Sequence, residues 1–413
     1  MGKIEIDHTG AGVGITLSSD GTALLLDGTA VGGTALELYA ENPATPTAPS
    51  ATGSNAVAIG NAASATNAET TAVGKQALAS GSNAAAFGHR AIASGSYSFA
   101  AGSWCTAGGV GSAALGGSGL ASGGVSASAA WSTAIGLNSL ALGSQTATGS
   151  GAMALGGSYA SGTDSFAAAI TNNTNTYGAT GANSVAIGDL TKSTNTNSVA
   201  LGNGATSSSI GSVAIGDDAS ASGSGSVALG YNTVATSTRA YALSAYGRAE
   251  AVYSATLFGA RAKSSVQGKA AYGPAYLVGQ GEVQGGMLVC TASTSDTTAA
   301  ALTTTNSAAG TTNQVILPNN SAYSFSGTIV ARQQASTGTA CAAWEVKGLI
   351  RREGSAGTTV LVNSATTILD NTPAWGMTLS ADTTNGGLKI EVTGAAATNI
   401  RFVATINTSE VTY

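Results

Sequence analysis

The chain has 413 residues, 58 of them glycine; 43% are hydrophobic by class, 5% aromatic and 8% charged, with 15 Lys and Arg against 20 Asp and Glu for a net charge of −5. Most of the hydrophobic share is alanine, which buries little area, so one large interdigitated core is not expected, and six prolines are too few for a collagen helix. The acidic balance, without a Lys/Arg run, argues against nucleic-acid binding, and no apolar run of about 18 residues suggests a membrane span.

The opening Met1-Gly2-Lys3-Ile4-Glu5-Ile6-Asp7 lacks the apolar stretch of a signal peptide, which points to a chain made in a cytoplasm and not exported by the usual route. Residues 1–40 read as a short polar arm, with Gly14-Ile15-Thr16-Leu17 and Ala23-Leu24-Leu25-Leu26 as strands around a turn. Residues 41–50 carry Pro43, Pro46 and Pro49, the spacing of an extended, semi-rigid linker.

From residue 51 to 265 the chain repeats itself. Ser54-Asn55-Ala56-Val57-Ala58-Ile59-Gly60 recurs as Asn183-Ser184-Val185-Ala186-Ile187-Gly188, Asn197-Ser198-Val199-Ala200-Leu201-Gly202, Gly211-Ser212-Val213-Ala214-Ile215-Gly216 and Gly225-Ser226-Val227-Ala228-Leu229-Gly230. The closing glycines Gly60, Gly74, Gly88, Gly102 and Gly116 lie 14 residues apart, as do Gly188, Gly202, Gly216 and Gly230. Steps of 20 residues, Gly116 to Gly136 to Gly156, read as loops extruded from the coil. A short period-two segment, a polar turn and an Ala-x-Ala segment fill each repeat, so each is expected to form one turn of a parallel β-coil. Two five-residue strands per turn are expected, with each glycine closing a strand where the chain reverses. The alternation assigns Val213 and Ile215 to the buried side, and Ser212 and Ala214 to the other, where copies can approach closely. Two large side chains per turn are thin support for 14 ordered residues. A homo-oligomer follows as an expectation, three-fold closure being the natural form.

The Asn-Ser-Val-Ala-Ile-Gly repeat resembles the head of the trimeric autotransporter adhesins, the YadA-like heads. The resemblance implies a left-handed parallel β-roll that trimerises.

Residues 266–285 read as a connector, and residues 286–413 as a separate C-terminal domain. Candidate strands there are 287–293, 314–317, 323–333, 342–351, 358–363, 375–381, 388–393 and 401–412, separated by turn signals; they suggest an antiparallel, jelly-roll-like β-sandwich. This stretch resembles the terminal domain of phage tail fibres at Leu317-Pro318-Asn319-Asn320-Ser321, Val330-Ala331-Arg332, Ala343-Trp344, Thr372-Pro373-Ala374-Trp375 and Val403-Ala404-Thr405. Residues 4–27 likewise resemble the N-termini of virion appendages. The fold class expected is thus all-β, a trimeric β-roll shaft with a C-terminal sandwich.

That resemblance implies a homotrimeric virion tail fibre assembled in the host cytoplasm. Its N-terminus would join a tail or adaptor protein, and its C-terminal domain would hold host polysaccharide or lipopolysaccharide. Alternatives are a fragment of a bacterial surface adhesin and a polysaccharide-depolymerising tailspike. Neither membrane insertion nor a cofactor is expected. Contact sites are sought at loop ends: Asn371, Thr372 and Pro373, and Thr383, Thr384 and Asn385.

Trp344, Trp375, Tyr323 and Phe325 are expected in the core, with sugar stacking as the alternative. A glycosidase needs two suitably spaced carboxylates; Glu345, Glu353, Asp370 and Asp382 form no such motif, and Glu345 is expected to pair with Lys347. No enzyme is therefore expected. His8 and His89 are the only histidines; His89, in a turn after an anchor glycine, is expected to be solvated, as is the Asp217-Asp218 turn, and no metal site is expected. Cys105, Cys290 and Cys341 read as buried or semi-buried free thiols.

Overall fold

A computed structural model describes residues 4–6, 15–19, 24–26, 29–30, 47–117, 119–121, 126–128, 133–134, 140–142, 146–155, 158–168, 176–274, 279–334, 340–371 and 373–413. For residues before 47 and those between 126 and 142 only the backbone is described. Every regular element among the described residues is a strand, apart from one 3-10 turn at Ala356–Thr358. The chain divides into two compact units, Met1–Gly151 and Ala152–Tyr413.

In the first unit, the strands Ile4–Ile6, Ile15–Ser19, Leu24–Leu26 and Thr29–Ala30 form an antiparallel meander, with Ile4 opposite Leu17 and Leu17 opposite Leu26. From Ser50 the chain coils. Each turn contributes a three-residue strand to one parallel sheet and a two-residue strand to another. Val57–Ile59 stacks on Thr71–Val73 and then on Ala85–Phe87, while Ser64–Ala65 stacks on Leu78–Ala79. These strands are shorter than the five residues expected, because the corners take more of each turn. Asn55, Ala62, Glu69, Gln76, Asn83, Arg90, Tyr97 and Trp104 hold φ between 51° and 62°, one left-handed corner every seven residues.

The coil does not break after Gly116. Ala113–Leu115 pairs with Ser126–Ser128 and that strand with Leu140–Leu142, while Leu120–Ala121, Thr133–Ala134 and Thr146–Ala147 stack in the second sheet. The expected 20-residue steps are therefore a misreading. Two turns are one residue short, Ala129 replaces an anchor glycine, and Gly136 follows a strand of the other sheet.

The second unit repeats this plan. Val185, Val199, Val213, Val227 and Tyr241 are successive partners in the three-residue sheet, and Tyr241 leads to Ala255 and Ala270. Phe166 pairs with Val185, so an insertion lies between them, outside the regular turn. The coil runs on to Tyr272, past residue 265.

The alternation of each coil is inverted relative to the sequence expectation. Ala200, Ala214 and Ala228 are fully buried, whereas Val213 and Ile215 are only half-buried and Leu229 is 40% exposed. The reason is steric. The lumen between a three-residue and a two-residue strand is narrow and is lined by small side chains, chiefly alanine and serine with an occasional threonine such as Thr256. Serine fits because its hydroxyl finds a partner at the adjacent corner: Ser212 Oγ donates to Ser209 O at 2.7 Å and lies 2.6 Å from Ser207 Oγ. Val, Ile and Leu are therefore turned outward.

Nine strands follow the coil: β1 (Val283–Thr294), β2 (Ala299–Ala301), β3 (Val315–Ile316), β4 (Ser321–Gln333), β5 (Cys341–Arg352), β6 (Val360–Asp370), β7 (Gly376–Asp382), β8 (Gly387–Thr393) and β9 (Ile400–Thr412). The first sheet runs β1-β9-β4-β5-β6, all antiparallel. The coil's last strand joins it, Ala270 opposite Met287, so the outer sheet of the coil continues into this one. The second sheet centres on β8, with β7 on one edge and β2 and β3 on the other.

The two sheets share one apolar cluster. Leu288 and Cys290 of β1, Phe325 and Ile329 of β4, Trp344 and Val346 of β5 and Phe402 and Ile406 of β9 meet Leu388, Ile390 and Val392 of β8. The eight strands expected in this stretch are all present. Strand β2 was missed because three alanines carry no strand signal, and β6 is longer than expected.

Candidate functional site

Three surfaces carry exposed side chains suited to recognition. The first is the outward face of the coil. Val57 is 42% and Phe99 39% exposed in the first unit, and the Phe87 and Phe99 rings lie 5.8 Å apart. In the second unit Val185, Ile187, Val199, Leu201, Val213, Ile215, Val227 and Leu229 form two outward columns four turns long. Together they make a contiguous, partly exposed apolar stripe.

The second surface is the corners. Side chains stacked 14 residues apart bond along the coil: Arg90 Nε donates to Gln76 Oε1 at 2.6 Å, Asn183 Nδ2 to Asn197 Oδ1 at 3.2 Å and Arg239 to the Tyr253 hydroxyl at 2.7 Å. The Arg90 guanidinium lies 4.2 Å from the Trp104 ring centre, and the exposed His89 meets that ring edge-on at 5.8 Å. The Asp217-Asp218 turn is exposed. Among the described residues no cluster of three or more His, Cys, Asp and Glu side chains could hold a metal. His8 lies outside the described residues.

The third surface is the C-terminal domain. Its first sheet has a covered face and an open one. Open-face side chains include Met287, Val289, Val330, Leu349 and Val403, each at least 40% exposed. A shallow hollow of about 330 Å³ lies between Ser326, Thr328, Glu345, Lys347, Ala365 and Thr367. Glu345 and Lys347 both border it but do not bond to each other, which corrects the expected ion pair. Charged pairs on the surface of this domain include Arg351–Glu353 at 2.7 Å and Lys389–Glu391 at 2.7 Å. Register sets Glu345 opposite Thr367 and Asp370 opposite Ala343, so Asp370 and Glu345 lie on adjacent strands.

The sequence-selected loops are not brought together. Asn371 and Pro373 precede β7, whereas Thr383, Thr384 and Asn385 follow it, so seven extended residues, about 23 Å, separate the two. Thr372 lies outside the described residues. The Asn371 amide is committed locally: Nδ2 donates to Trp375 O at 2.8 Å and Oδ1 accepts from Trp375 N at 2.9 Å. Asp382 organises the other loop. Its Oδ1 accepts from the backbone of Thr384 and Asn385, and its Oδ2 from Asn385 Nδ2 at 2.8 Å and Gln314 Nε2 at 2.9 Å. Burial pushes this carboxyl up, and the hydrogen bonds together outweigh that, holding it below the ordinary carboxylate range. Thr383 and Thr384 are exposed.

Trp344, Trp375, Tyr323 and Phe325 are all buried, with Trp375 edge-on to Phe402 at 6.2 Å, so none offers a stacking face. Cys105 and Cys290 are buried, and burial pushes the Cys290 thiol up to about 12; Cys341 is exposed, contrary to expectation. Sequence reasoning missed the buried ion pair that joins coil to sheet. Lys269 Nζ lies 2.6 Å from Glu410, whose Oε2 also accepts from Gln284 Nε2 at 2.7 Å. Burial first, and then the Glu410 charge, push the nearby Tyr323 hydroxyl well up. Charged residues so distant in sequence carry no local signal.

A parallel β-coil with alanine inside and aliphatic residues outside is the architecture this repeat builds. Residues 51–77, 79–103, 179–205 and 207–233 match the YadA head domain repeat. No curated protein matches the sequence. Among solved structures the chain is similar to the tailspike protein gp49 of Acinetobacter baumannii bacteriophage Fri1, described as a capsular polysaccharide depolymerase. The identity is 8% and the TM-score 0.25, with 85% of this chain and 63% of the tailspike covered.

Proposed function

We propose that this chain is the subunit of a homotrimeric adhesive fibre, borne on a virion tail, whose C-terminal domain attaches to a cell-surface glycan. The outward aliphatic columns carry the trimer. A half-exposed Val, Ile or Leu retains about 1 kcal/mol of unrealised burial. The eight such residues from Val185 to Leu229 then hold about 8 kcal/mol per chain, comparable to the whole stability of a small domain. Three copies laid against each other recover it, and a closed ring leaves no stripe exposed. The tail-fibre assignment draws on the sequence resemblances at residues 4–27 and in the C-terminal stretch. We read the two C-terminal sheets as a sandwich.

Low charge suits recognition by hydrogen bonds rather than by long-range steering, and three sites per fibre convert modest affinity into attachment. The strand farthest along the sheet from the coil is β6, and its exposed Asn363, Ser364, Thr366 and Thr367 are the polar groups offered there. The test is binding of the full chain to a panel of bacterial surface polysaccharides, before and after periodate oxidation of the sugars. Binding lost on oxidation is expected; binding to no polysaccharide, or binding that survives oxidation, would overturn the receptor assignment.

A second reading, a depolymerising tailspike, has one observation in its favour: Glu345 borders a hollow, and a second carboxylate, Asp370, lies on the adjacent strand β6. Chain shortening of polysaccharide by the wild type but not by Glu345→Gln would promote it.

A further inference from the structure

The outer sheet of the coil does not end with the coil. Following backbone partners strand by strand, Val213 leads to Val227, Tyr241, Ala255 and Ala270, and Ala270 to Met287. Met287 leads to Asn407, then Ser326, Lys347 and Ala365. Directly paired residues point to the same side of a sheet. The aliphatic columns and the open face of the C-terminal sheet are therefore one surface. The opposite side is filled by alanine and serine in the coil and by the apolar cluster beneath β1-β9-β4-β5 in the C-terminal domain, while β6 is exposed on both faces.

From this continuity we infer that the open face of β1-β9-β4-β5 packs against the same face of a second copy of the chain, extending the coil's interface through the C-terminal domain. The inference rests on the proposed trimer and adds where its interface ends. The chemistry of the face fits a copy of itself. Met287, Val289, Val330 and Val403 supply apolar contact, and serine and threonine fill the positions between them. Glu345 and Lys347, one acid and one base that form no ion pair among the described residues, stand two residues apart on β5. Neighbouring copies can pair one with the other. The hollow beside them is room for a side chain from across the interface. A face so occupied is closed to a polymeric substrate, leaving β6 and the strand-end loops for receptor.

Cross-linking tests this in the full chain with Cys341→Ser as background. Thr328→Cys, exposed in the middle of the open face, and Val213→Cys, on the coil, are each treated with a short trifunctional maleimide and run denatured. Trimers from both variants are expected. Trimers from Val213→Cys with only monomer from Thr328→Cys would overturn the inference and leave the coil trimer standing. Monomer from both would overturn the trimer and the inference with it. Should Thr328→Cys prevent folding, Ser326→Cys on the same strand and face serves in its place.

Discussion

Replacing Gly216 by alanine separates the effect of the coil's backbone from that of its side chains. Gly216 sits at φ +132°, a region almost confined to glycine, and the strain of holding alanine there is about 1–3 kcal/mol. The added methyl would lie 2.3 Å from Gly230 O, so the next turn must retreat by about 1 Å before contact is tolerable. That retreat stretches the 2.8 Å bond from Gly230 N to Ile215 O, a further loss of about 1 kcal/mol. Gly216→Ala should therefore destabilise the coil by about 2–4 kcal/mol. The control is Gly211→Asn. Gly211 has φ +63° and nothing within 4 Å of its missing methyl, and Asn183 and Asn197 hold the equivalent corner at φ 53° and 57°. That change should stay within about 0.5 kcal/mol. Urea unfolding followed by circular dichroism measures both. A Gly216→Ala midpoint equal to the parent's, or equal damage from the two variants, would refute the anchor-glycine reasoning.

Three further outcomes follow from buried groups elsewhere in the chain. Lys269→Met strands the Glu410 carboxylate, which is fully buried, and should cost about 3–5 kcal/mol by denaturant unfolding, whereas adding Glu410→Leu should restore most of it. Asp382 has a carboxyl held below its ordinary range, so its stabilisation of the 383–386 turn is complete above about pH 4 and is lost as pH falls through the folded value. The protection factors against hydrogen exchange at Thr384 and Asn385, taken relative to the intrinsic rate at each pH, should fall on acidification in the parent and be low at all pH in Asp382→Ala. Cys105 and Cys290, both buried, should resist maleimide until the chain unfolds, Cys290 doubly so because burial suppresses its thiolate.

The coil was legible because its period is short and each turn closes on the same residue type. Anchors Gly60 to Gly116 and Gly188 to Gly230 all adopt the positive φ that the spacing implied. The sidedness was not legible. A rule that puts large apolar residues inside fails when the interior admits only Ala214 and Ser212, and lumen width is a property of two strands and two corners together. The slip after Gly116 deceived for a related reason: stacking preserves strand register, not glycine spacing, so one-residue deletions shift the motif while Ala113 still finds Ser126. In the C-terminal domain strand alternation marked the core tryptophans correctly. Polarity marked the loops at Asn371 and Asn385 but could not show that their amides serve Trp375 and Asp382. The Lys269–Glu410 pair spans 141 residues and is created by the fold.

Sedimentation equilibrium on the full chain and on Val213→Asp/Ile215→Asp tests the central claim most directly. Both substituted side chains face outward, so a single coil should keep its β-rich circular dichroism. The parent should sediment as three 39.7 kDa chains and the variant as one. A parent that sediments as a folded 39.7 kDa monomer, or a variant that remains trimeric, would contradict the account.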